Sequence, residues 1–467
     1  MSYAQSHQST TQRGVALIVL LALVSAVLVG LLLTVASGSN IETERGKRTA
    51  TALAKAKEGL IAYAVAVQPD TDAKRPGELP CPDLNNDGQA ELLCFNNNQR
   101  VGRLPWKTLG LSDLRDADGE RLWYALSTNF QRRNTNQCDT PGDATCLNSE
   151  TPGTITVRNA SGAVIHDGTT LANNPIVAPT GALAVVFAPG SVVTRIGAAS
   201  AQDRGCSGDA AATTCEQSGI CSSVATARCN PINYLDVVDT ATLPALSAPE
   251  DNTNFADSTT NNGFIAGPVR NAAGNIVLND TLIVVRYTDL IPKVEQRVAR
   301  EALACLRTYA NGNGGHYPWA ATVTDNYTAP LIDTAGTYFG RLPQSLPATA
   351  ANGLASAWTS PCPIGMLANK DKWWANWVDL VFVAVAPGYA PDVAMPSCGT
   401  CLTVNPSAIA SRRVVVLVAG RPLAGESRGI GSTELAYLED ANRDGSSTSV
   451  YKQAAATATF NDTVVYQ

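Results

Sequence analysis

The sequence predicts an α+β fold in which a long N-terminal transmembrane helix precedes two tandem modules, each a helix packed on an antiparallel sheet. Three features lead to this prediction: an uncharged apolar run near the N-terminus, twelve cysteines, and motifs that recur in the same order. A chain of 467 residues suits two or three domains. The predicted parts are a leader peptide (1–14), a transmembrane helix with a stalk (15–48), a first module with cysteine-rich insertions (49–287) and a second module (288–467).

The uncharged run has the length of a membrane span. Residues 15–36 (VALIVLLALVSAVLVGLLLTVA) include no Asp, Glu, Lys or Arg. A helix of this length can cross a hydrocarbon core of about 30 Å, whereas a cleaved secretory signal has an apolar core of roughly 7–15 residues. The run therefore predicts a retained single-pass anchor in contact with membrane lipid.

The helix is expected to continue beyond this run. Residues 49–67 are rich in alanine, and Leu53 and Leu60 recur there at helical spacing. This pattern predicts one helix over residues 15–67. The alternative is two helices with a break near residues 37–39 (SGS).

The cysteines predict disulfides. Their number is even, and most lie in stretches rich in Gly, Ser and Thr, a pattern typical of an oxidising compartment. The expected local pairs are Cys81–Cys94, Cys138–Cys146 and Cys398–Cys401, with two more among Cys206, Cys215, Cys221 and Cys229, and with Cys305–Cys362 remaining. Spacing alone leaves the connectivity open.

The N-terminus resembles a known family. Gln12-Arg13-Gly14 followed by an apolar helix that begins at Val15 is similar to the start of type IV pilins and type II secretion pseudopilins. The resemblance implies cleavage after Gly14 by prepilin peptidase and methylation of Val15. It also implies other pilin or pseudopilin subunits as partners, and an inner-membrane protein whose head lies in the periplasm or in an extracellular filament. The family's usual glutamate is replaced by Val19, a loss shared by certain minor subunits thought to sit at a filament tip.

Short motifs recur along the rest of the chain. The segment 102–105 (GRLP) is repeated at 340–343, and Tyr234-Leu235-Asp236 is echoed by Tyr437-Leu438-Glu439. Asn279-Asp280-Thr281 is likewise echoed by Asn461-Asp462-Thr463. The common order predicts a duplicated unit, and the resemblance implies that each copy is like a pilin head.

Two insertions lengthen the first module. Residues 134–151 and 198–229 contain six of the cysteines and little aliphatic sequence. Long loops of this kind are often functional, so they are the expected partner-facing surface. The alternative is disulfide-stapled decoration without a partner.

Two segments predict a Ca²⁺ site. Both read D-x-N-x-D-G, a spacing that can place oxygen ligands around a hard cation. The candidate ligands are Asp83, Asn85 and Asp87 in the first segment and Asp440, Asn442 and Asp444 in the second. Neither segment has the glutamate expected at its twelfth position, and the same residues also form ordinary turns.

A tryptophan cluster precedes a strongly apolar strand predicted over residues 378–386. Trp373 and Trp374 would point to opposite faces of a strand, so one of the cluster could be exposed and bind sugar or another subunit. The candidate binding residues are Trp373, Trp374 and Trp377, and the alternative is packing in the core or in an interface.

The composition favours assembly over catalysis. The three histidines do not have zinc-ligand spacing, and the G-x-S-x-G segment at 425–429 lies after the last histidine, His316. A net charge of −6 offers no basic field for nucleic acid. The predicted function is a non-catalytic minor pilin or pseudopilin subunit of a type IV pilus or type II secretion filament. The alternatives are a tip adhesin for carbohydrate or a host surface, and a membrane-anchored periplasmic hydrolase.

Overall fold

A computed structural model of the chain describes residues 41–66, 75–131, 138, 146–169, 181–255, 263–364, 372–407, 409–423 and 425–467. The helices are α1 (41–66), α2 (Ala212–Ser218), α3 (Tyr287–Gly312), α4 (Pro347–Ala350) and α5 (Asp440–Thr448). The strands in chain order are β1 (Val101–Arg103), β2 (Trp123–Leu126), β3 (Val157–Arg158), β4 (Val164–His166), β5 (Ala184–Ala188), β6 (Val237–Val238), β7 (Glu250–Asp251), β8 (Phe264–Ile265), β9 (Val269–Arg270), β10 (Ile276–Leu278), β11 (Thr281–Val285), β12 (Phe339–Arg341), β13 (Val381–Val385), β14 (Thr403–Asn405), β15 (Val414–Val418), β16 (Val450–Lys452) and β17 (Thr463–Tyr466).

The membrane predictions need correction. Among the described residues, no helix is both long enough and apolar enough to cross a membrane. The two long helices, α1 and α3, carry charged residues along their solvent-facing sides, so they are amphipathic. A fold with a transmembrane helix and a single-pass inner-membrane location are therefore not supported. The run 15–36 and the processing residues Gly14 and Val15 lie outside the described residues.

Two antiparallel sheets of four strands form the centre of the molecule. The first has the strand order β1-β2-β5-β11 and the second β12-β13-β15-β17. In both sheets the order of the strands is their order in the chain, and the strands between them in sequence belong to smaller sheets. The register also corresponds. Arg103 pairs with Trp123 in the first sheet, and Arg341 pairs with Phe382 in the second. The recurring GRLP segments thus begin at matched edge strands.

The first sheet buries a different cluster on each face. Tyr124, Leu126 and Val186 join the core that contains the buried side of α1, whereas Trp123 and Phe187 pack in a second cluster with residues such as Val157, Tyr234 and Phe264. This alternation follows from the two-residue period of a strand. The second sheet lies wholly in the larger core, where α3 packs on β15 and β17.

The two helices join the modules. Helix α3 buries residues three and four positions apart, such as Leu290, Val294 and Val298, and Asp289 caps its start by accepting the Arg286 N–H at 2.8 Å. The same carboxylate accepts from Lys57 Nζ of α1 at 2.6 Å. One continuous core therefore runs through both helices and both sheets.

The disulfide prediction is confirmed. All twelve cysteines are paired, in the six pairs Cys81–Cys94, Cys138–Cys146, Cys206–Cys215, Cys221–Cys229, Cys305–Cys362 and Cys398–Cys401. Five of these pairs close short loops, and Cys305–Cys362 ties α3 to a segment 57 residues away. The four cysteines whose pairing was open form the pairs Cys206–Cys215 and Cys221–Cys229.

The insertions occupy different places. Around Cys146, the first insertion packs on the second module, where the Asn376 side chain accepts the Leu147 N–H at 2.7 Å. This described part is mostly buried, so it does not present the expected partner-facing surface. The second insertion, which carries α2, lies over the edge strand β1 and forms one wall of a pocket.

Candidate functional site

An arginine-lined pocket lies between β1 and the second insertion. Its volume is about 340 Å³, and most of its lining is polar. Five guanidinium groups converge on it, from Arg103, Arg115, Arg121, Arg204 and Arg228. A pocket of this size lies at the lower end of the range typical of small-molecule sites.

Carboxylates balance only part of this positive charge. Asp113 forms ion pairs with Arg115 at 2.7 Å and with Arg121 at 3.0 Å, and Glu120 lies 3.4 Å from Arg204. The positive charge of the pocket therefore exceeds the negative charge that pairs with it directly. Such a site favours an anionic group, because guanidinium binds carboxylate, sulfate or phosphate through paired N–H donors.

Arg103 is held rigidly at the base of the pocket. Its guanidinium lies between the rings of Trp123 at 4.3 Å and Tyr234 at 3.9 Å, and it donates to the carbonyl oxygens of Arg121 and Arg228 at 3.0 and 2.8 Å. Burial lowers the pKa of Arg103 to about 10, so the group remains charged at neutral pH. The half-buried Arg228 side chain makes no hydrogen bond or ion pair with any described residue.

The second module has the matched arginine without a pocket. Arg341 lies over the rings of Tyr437 at 4.6 Å and Phe382 at 5.0 Å, and it donates to the carbonyl oxygens of Val323, at 2.8 Å, and Asp379. Its side chain is fully buried. The repeated GRLP motif thus marks a buried arginine in both modules, and only the first copy borders an open cavity.

A second arginine is also matched between the modules. Arg204 donates to the carbonyl oxygens of Gly190 at 2.7 Å and Asn233 at 3.1 Å. Arg428 makes the equivalent bonds to Gly420 at 2.7 Å and Ala436 at 2.9 Å. Arg428 lies within the G-x-S-x-G segment, and its hydrogen bonds fix the conformation of that loop.

Each module also buries a pair of carboxyl groups. In the first, Asp280 accepts from the Asp236 N–H and from Asn252 Nδ2, both at 2.8 Å. In the second, Asp462 accepts from the Glu439 N–H at 3.1 Å and Asn442 Nδ2 at 3.0 Å.

These carboxyl groups are hard to ionise. Burial raises the pKa of all four, and the charge of the neighbouring carboxylate adds to this for Asp280 and Glu439. Each pair therefore retains a proton at pH values where exposed carboxyls have lost theirs. The repeated Y-L-D/E and N-D-T motifs mark these pairs.

The first candidate calcium segment forms a buried turn. The Asp83 carboxylate accepts the N–H groups of Gly88 at 2.7 Å and Asp87 at 3.2 Å, while Asn85 Oδ1 accepts the Asp87 N–H at 3.1 Å. Burial raises the pKa of Asp83 to about 6. Backbone donors thus already use the oxygens proposed as cation ligands, and Ca²⁺ binding here stays a prediction.

The second candidate segment is helical. Asp440 and Asn442 lie in α5 rather than in a loop; Asp440 pairs with Lys452 at 2.5 Å, and Asn442 bonds to Asp462. Asp444 also lies in α5, and its side chain is outside the described set. Within the described residues, no group of three or more His, Cys, Asp or Glu is arranged to hold a metal ion.

The tryptophan cluster lies in the core. Trp373 and Trp374 belong to a short 3₁₀ helix, Lys372–Asn376, so the alternation expected of a strand does not apply. Trp373, Trp374 and Trp377 are each at most 2% exposed. Their position corresponds to the packing alternative and leaves none of the three on the surface.

Comparison with known proteins gives no relative for this site. No protein-family model matches the chain, and no curated protein or solved structure is significantly similar to it. The pocket arginines were not predicted as site residues. Arg115 and Arg121, which an isolated β-bridge joins, lie far in sequence from Arg228, and no spacing rule connects them with it.

Proposed function

We propose that this chain is a non-catalytic subunit of a type IV pilin-like filament, either a pilus or a type II secretion filament. The observation that carries the proposal is the exposed start of α1. Residues 41–48 have exposed side chains, whereas the later turns of the helix are packed in the core through residues such as Leu53 and Leu60. A helix that extends past its own core offers a surface to neighbouring subunits.

The order of elements supports this proposal. Helix α1 precedes a sequential antiparallel sheet, and α3 precedes another. The resemblance at Gly14 and Val15 leads to the same proposal from independent residues.

The N-terminal mass of the mature chain tests the proposal. We expect a chain that begins at N-methylated Val15 in cells with prepilin peptidase and an intact Met1 in cells without it. Val15→Ala at the first mature position is the matched control and should still be cleaved. An intact Met1 in both strains, or a cut elsewhere, would exclude the filament pathway.

The arginine pocket favours a second candidate function, an adhesive subunit that binds acidic carbohydrate. Its unbalanced positive charge, the unpartnered Arg228 and the adjoining aromatic rings of Trp106 and Tyr234 suit a carboxylated or sulfated sugar. A carbohydrate with one such group would place the anion among the guanidinium groups and a sugar face on a ring.

Glycan binding tests this second function. Alginate and heparin oligosaccharides should bind, and neutral dextran should not. Arg228→Gln should weaken binding roughly tenfold, the loss expected for one charge-assisted hydrogen bond. Arg270→Gln, at an exposed position on β9, is the matched control. Equal loss in both variants would indicate only non-specific attraction of polyanions.

A further inference from the structure

A cleft in the second module has the features of a ligand site. It lies between the first turns of α3, the loop after β15 and the segment that leads into β17, and its volume is about 630 Å³. Cavities of roughly 300–1,000 Å³ are typical of small-molecule sites. Its apolar lining comes from Pro292, Pro422, Leu423, Ala454, Ala455, Ala456, Ala458 and Val464.

Arg421 supplies the charge in this cleft. The residue is 7% exposed, and its guanidinium lies over the Tyr287 ring at 3.8 Å. Its Nε and Nη2 atoms are buried and have no hydrogen-bond partner. No carboxylate among the described residues lies within ion-pair distance of it. A buried cation with free donors is costly unless an anion joins it.

The nearby carboxyl groups do not fill this role. Asp462, which also borders the cleft, accepts from the Glu439 N–H and from Asn442 Nδ2 instead. Burial raises the pKa of Glu295 to about 8, so this side chain is neutral at pH 7, and Thr463 Oγ1 donates to it at 3.1 Å. Glu150 is paired with Arg428 at 2.9 Å. Lys293, which is exposed and borders the cleft, adds a further positive charge.

We propose that this cleft binds a carboxylate attached to an apolar group, with Arg421 as the partner of the carboxylate. The Nε and Nη2 atoms form one edge of the guanidinium, and that edge matches the two oxygens of a carboxylate. The alanine- and proline-rich walls accept the apolar part. A phosphate fits less well, because a single guanidinium next to buried carboxyl groups compensates a dianion poorly.

Such a carboxylate could belong to a free organic acid or to the C-terminus of a polypeptide. Isothermal titration calorimetry on the full chain distinguishes the two sources. The free acid is hexanoate, compared with hexanamide. The peptide is N-acetyl-Ala-Ala-Leu with a free carboxylate, compared with its C-terminal amide. We expect at least one carboxylate to bind, and its amide to bind at least tenfold more weakly, a loss typical of hydrogen bonds to a charged group.

Variants assign the binding to the cleft. Arg421→Gln should weaken the carboxylate at least tenfold, and Arg421→Lys should restore part of the affinity because it keeps the charge without the planar fork. Arg270→Gln, at an exposed position on β9 of the first module, should leave the affinity unchanged. Ala456→Trp fills the cleft from an exposed position, so it tests the site even if Arg421→Gln folds poorly.

The melting temperature separates a ligand role from a structural one. Without ligand, Arg421→Gln should melt at or above the wild-type temperature, because it removes an unpaired buried charge. Three results would each overturn the proposal: equal affinity for acids and amides, unchanged affinity in both Arg421→Gln and Ala456→Trp, or no binding of either carboxylate up to about 10 mM.

Discussion

The two modules have the same sheet but expose different chemistry around it. In both, a buried arginine on the first strand stacks on a tyrosine, and a pair of buried carboxyl groups lies at the start of the fourth strand. In the first module an insertion lies over the sheet edge and leaves an arginine-lined pocket. In the second module that edge is closed, and a cleft opens instead beside α3. The comparison shows that the buried polar contacts are shared, whereas the cavities depend on the loops added around them.

The largest expected effect on stability comes from removal of the disulfides. Cys305–Cys362 closes a separation of 57 residues in the second module, and Cys81–Cys94 closes 13 in the first. In the chain-entropy model, replacing both cysteines by alanine should lower the free energy of unfolding by about 4 kcal/mol for Cys305–Cys362 and by about 3 kcal/mol for Cys81–Cys94. Urea unfolding measures both. A greater loss at Cys81–Cys94 would show that native-state strain or residual structure outweighs loop length.

Substitution of the matched arginines, Arg103 and Arg341, should have the next largest effect on stability. Arg341→Met removes ring stacking and leaves the buried Asp379 carbonyl without its donor, so we expect a loss of about 2–3 kcal/mol. Arg103→Met should cost less, because water in the pocket can reach the freed carbonyls. Arg270→Met, at an exposed position, should change stability by under about 0.5 kcal/mol. Equal losses at Arg103 and Arg341 would mean that the pocket does not hydrate these groups.

The carboxyl pairs should make the stability of both modules fall as pH rises. Their raised pKa values keep protons on the folded chain at pH values where the unfolded chain has released them, so the free energy of unfolding falls as pH rises above about 4.5. Each excess proton contributes a slope of about 1.4 kcal/mol per pH unit. Chemical unfolding between pH 5 and 10 measures that slope.

A conservative substitution separates the two pairs. Glu439 Oε1 has no hydrogen-bond partner, so Glu439→Gln should be tolerated and should flatten the slope. Asp236 accepts from Gln202 at 2.9 Å and from the Asn279 N–H at 2.8 Å, so Asp236→Asn must turn an amide toward a donor and should destabilise the fold at all pH values. A flattened slope without destabilisation in both variants would contradict this distinction.

The smallest expected losses of stability come from substitutions in the two D-x-N-x-D-G segments. Asp83→Ala leaves the buried Gly88 N–H unpaired and should cost about 1–3 kcal/mol. Asp440→Ala removes only an exposed pair with Lys452 and should cost under about 1 kcal/mol. Thermal unfolding of the two variants, with and without Ca²⁺, also tests the predicted metal. A rise in melting temperature with Ca²⁺ that Asp83→Ala abolishes would support binding at the first segment.

Much of the central structure could be predicted from local sequence. The strands β5 (AVVFA) and β15 (VVVLV) consist entirely of apolar residues, because a strand buried on both faces needs a near-continuous apolar sequence. Helix α3 buries residues three and four positions apart, a spacing visible in the sequence itself, and it begins at Tyr287, with Asp289 as its cap. Short separations predicted three local cysteine pairs, whereas the pairing among the four cysteines at 206–229 came only from the structure.

The sites could not be predicted in this way. Strand alternation predicts that Trp373 or Trp374 is exposed, whereas both lie in a 3₁₀ helix that buries them. The second D-x-N-x-D-G segment became helical because Asn442 has a better partner in Asp462, which lies 20 residues away. Arg421 has no motif around it, and its isolation is visible only once α3 and two loops enclose it.

The sequence by itself determined which segments are buried, which cysteines are close enough to pair and which motifs recur, because burial and short-range contact depend on residue type and spacing. Only the tertiary structure decided which of the recurring arginines borders an open pocket and which buried charge lacks a partner. These properties depend on side chains that are brought together from distant parts of the chain, and the pairing or isolation of a charge follows from distances that no local pattern encodes.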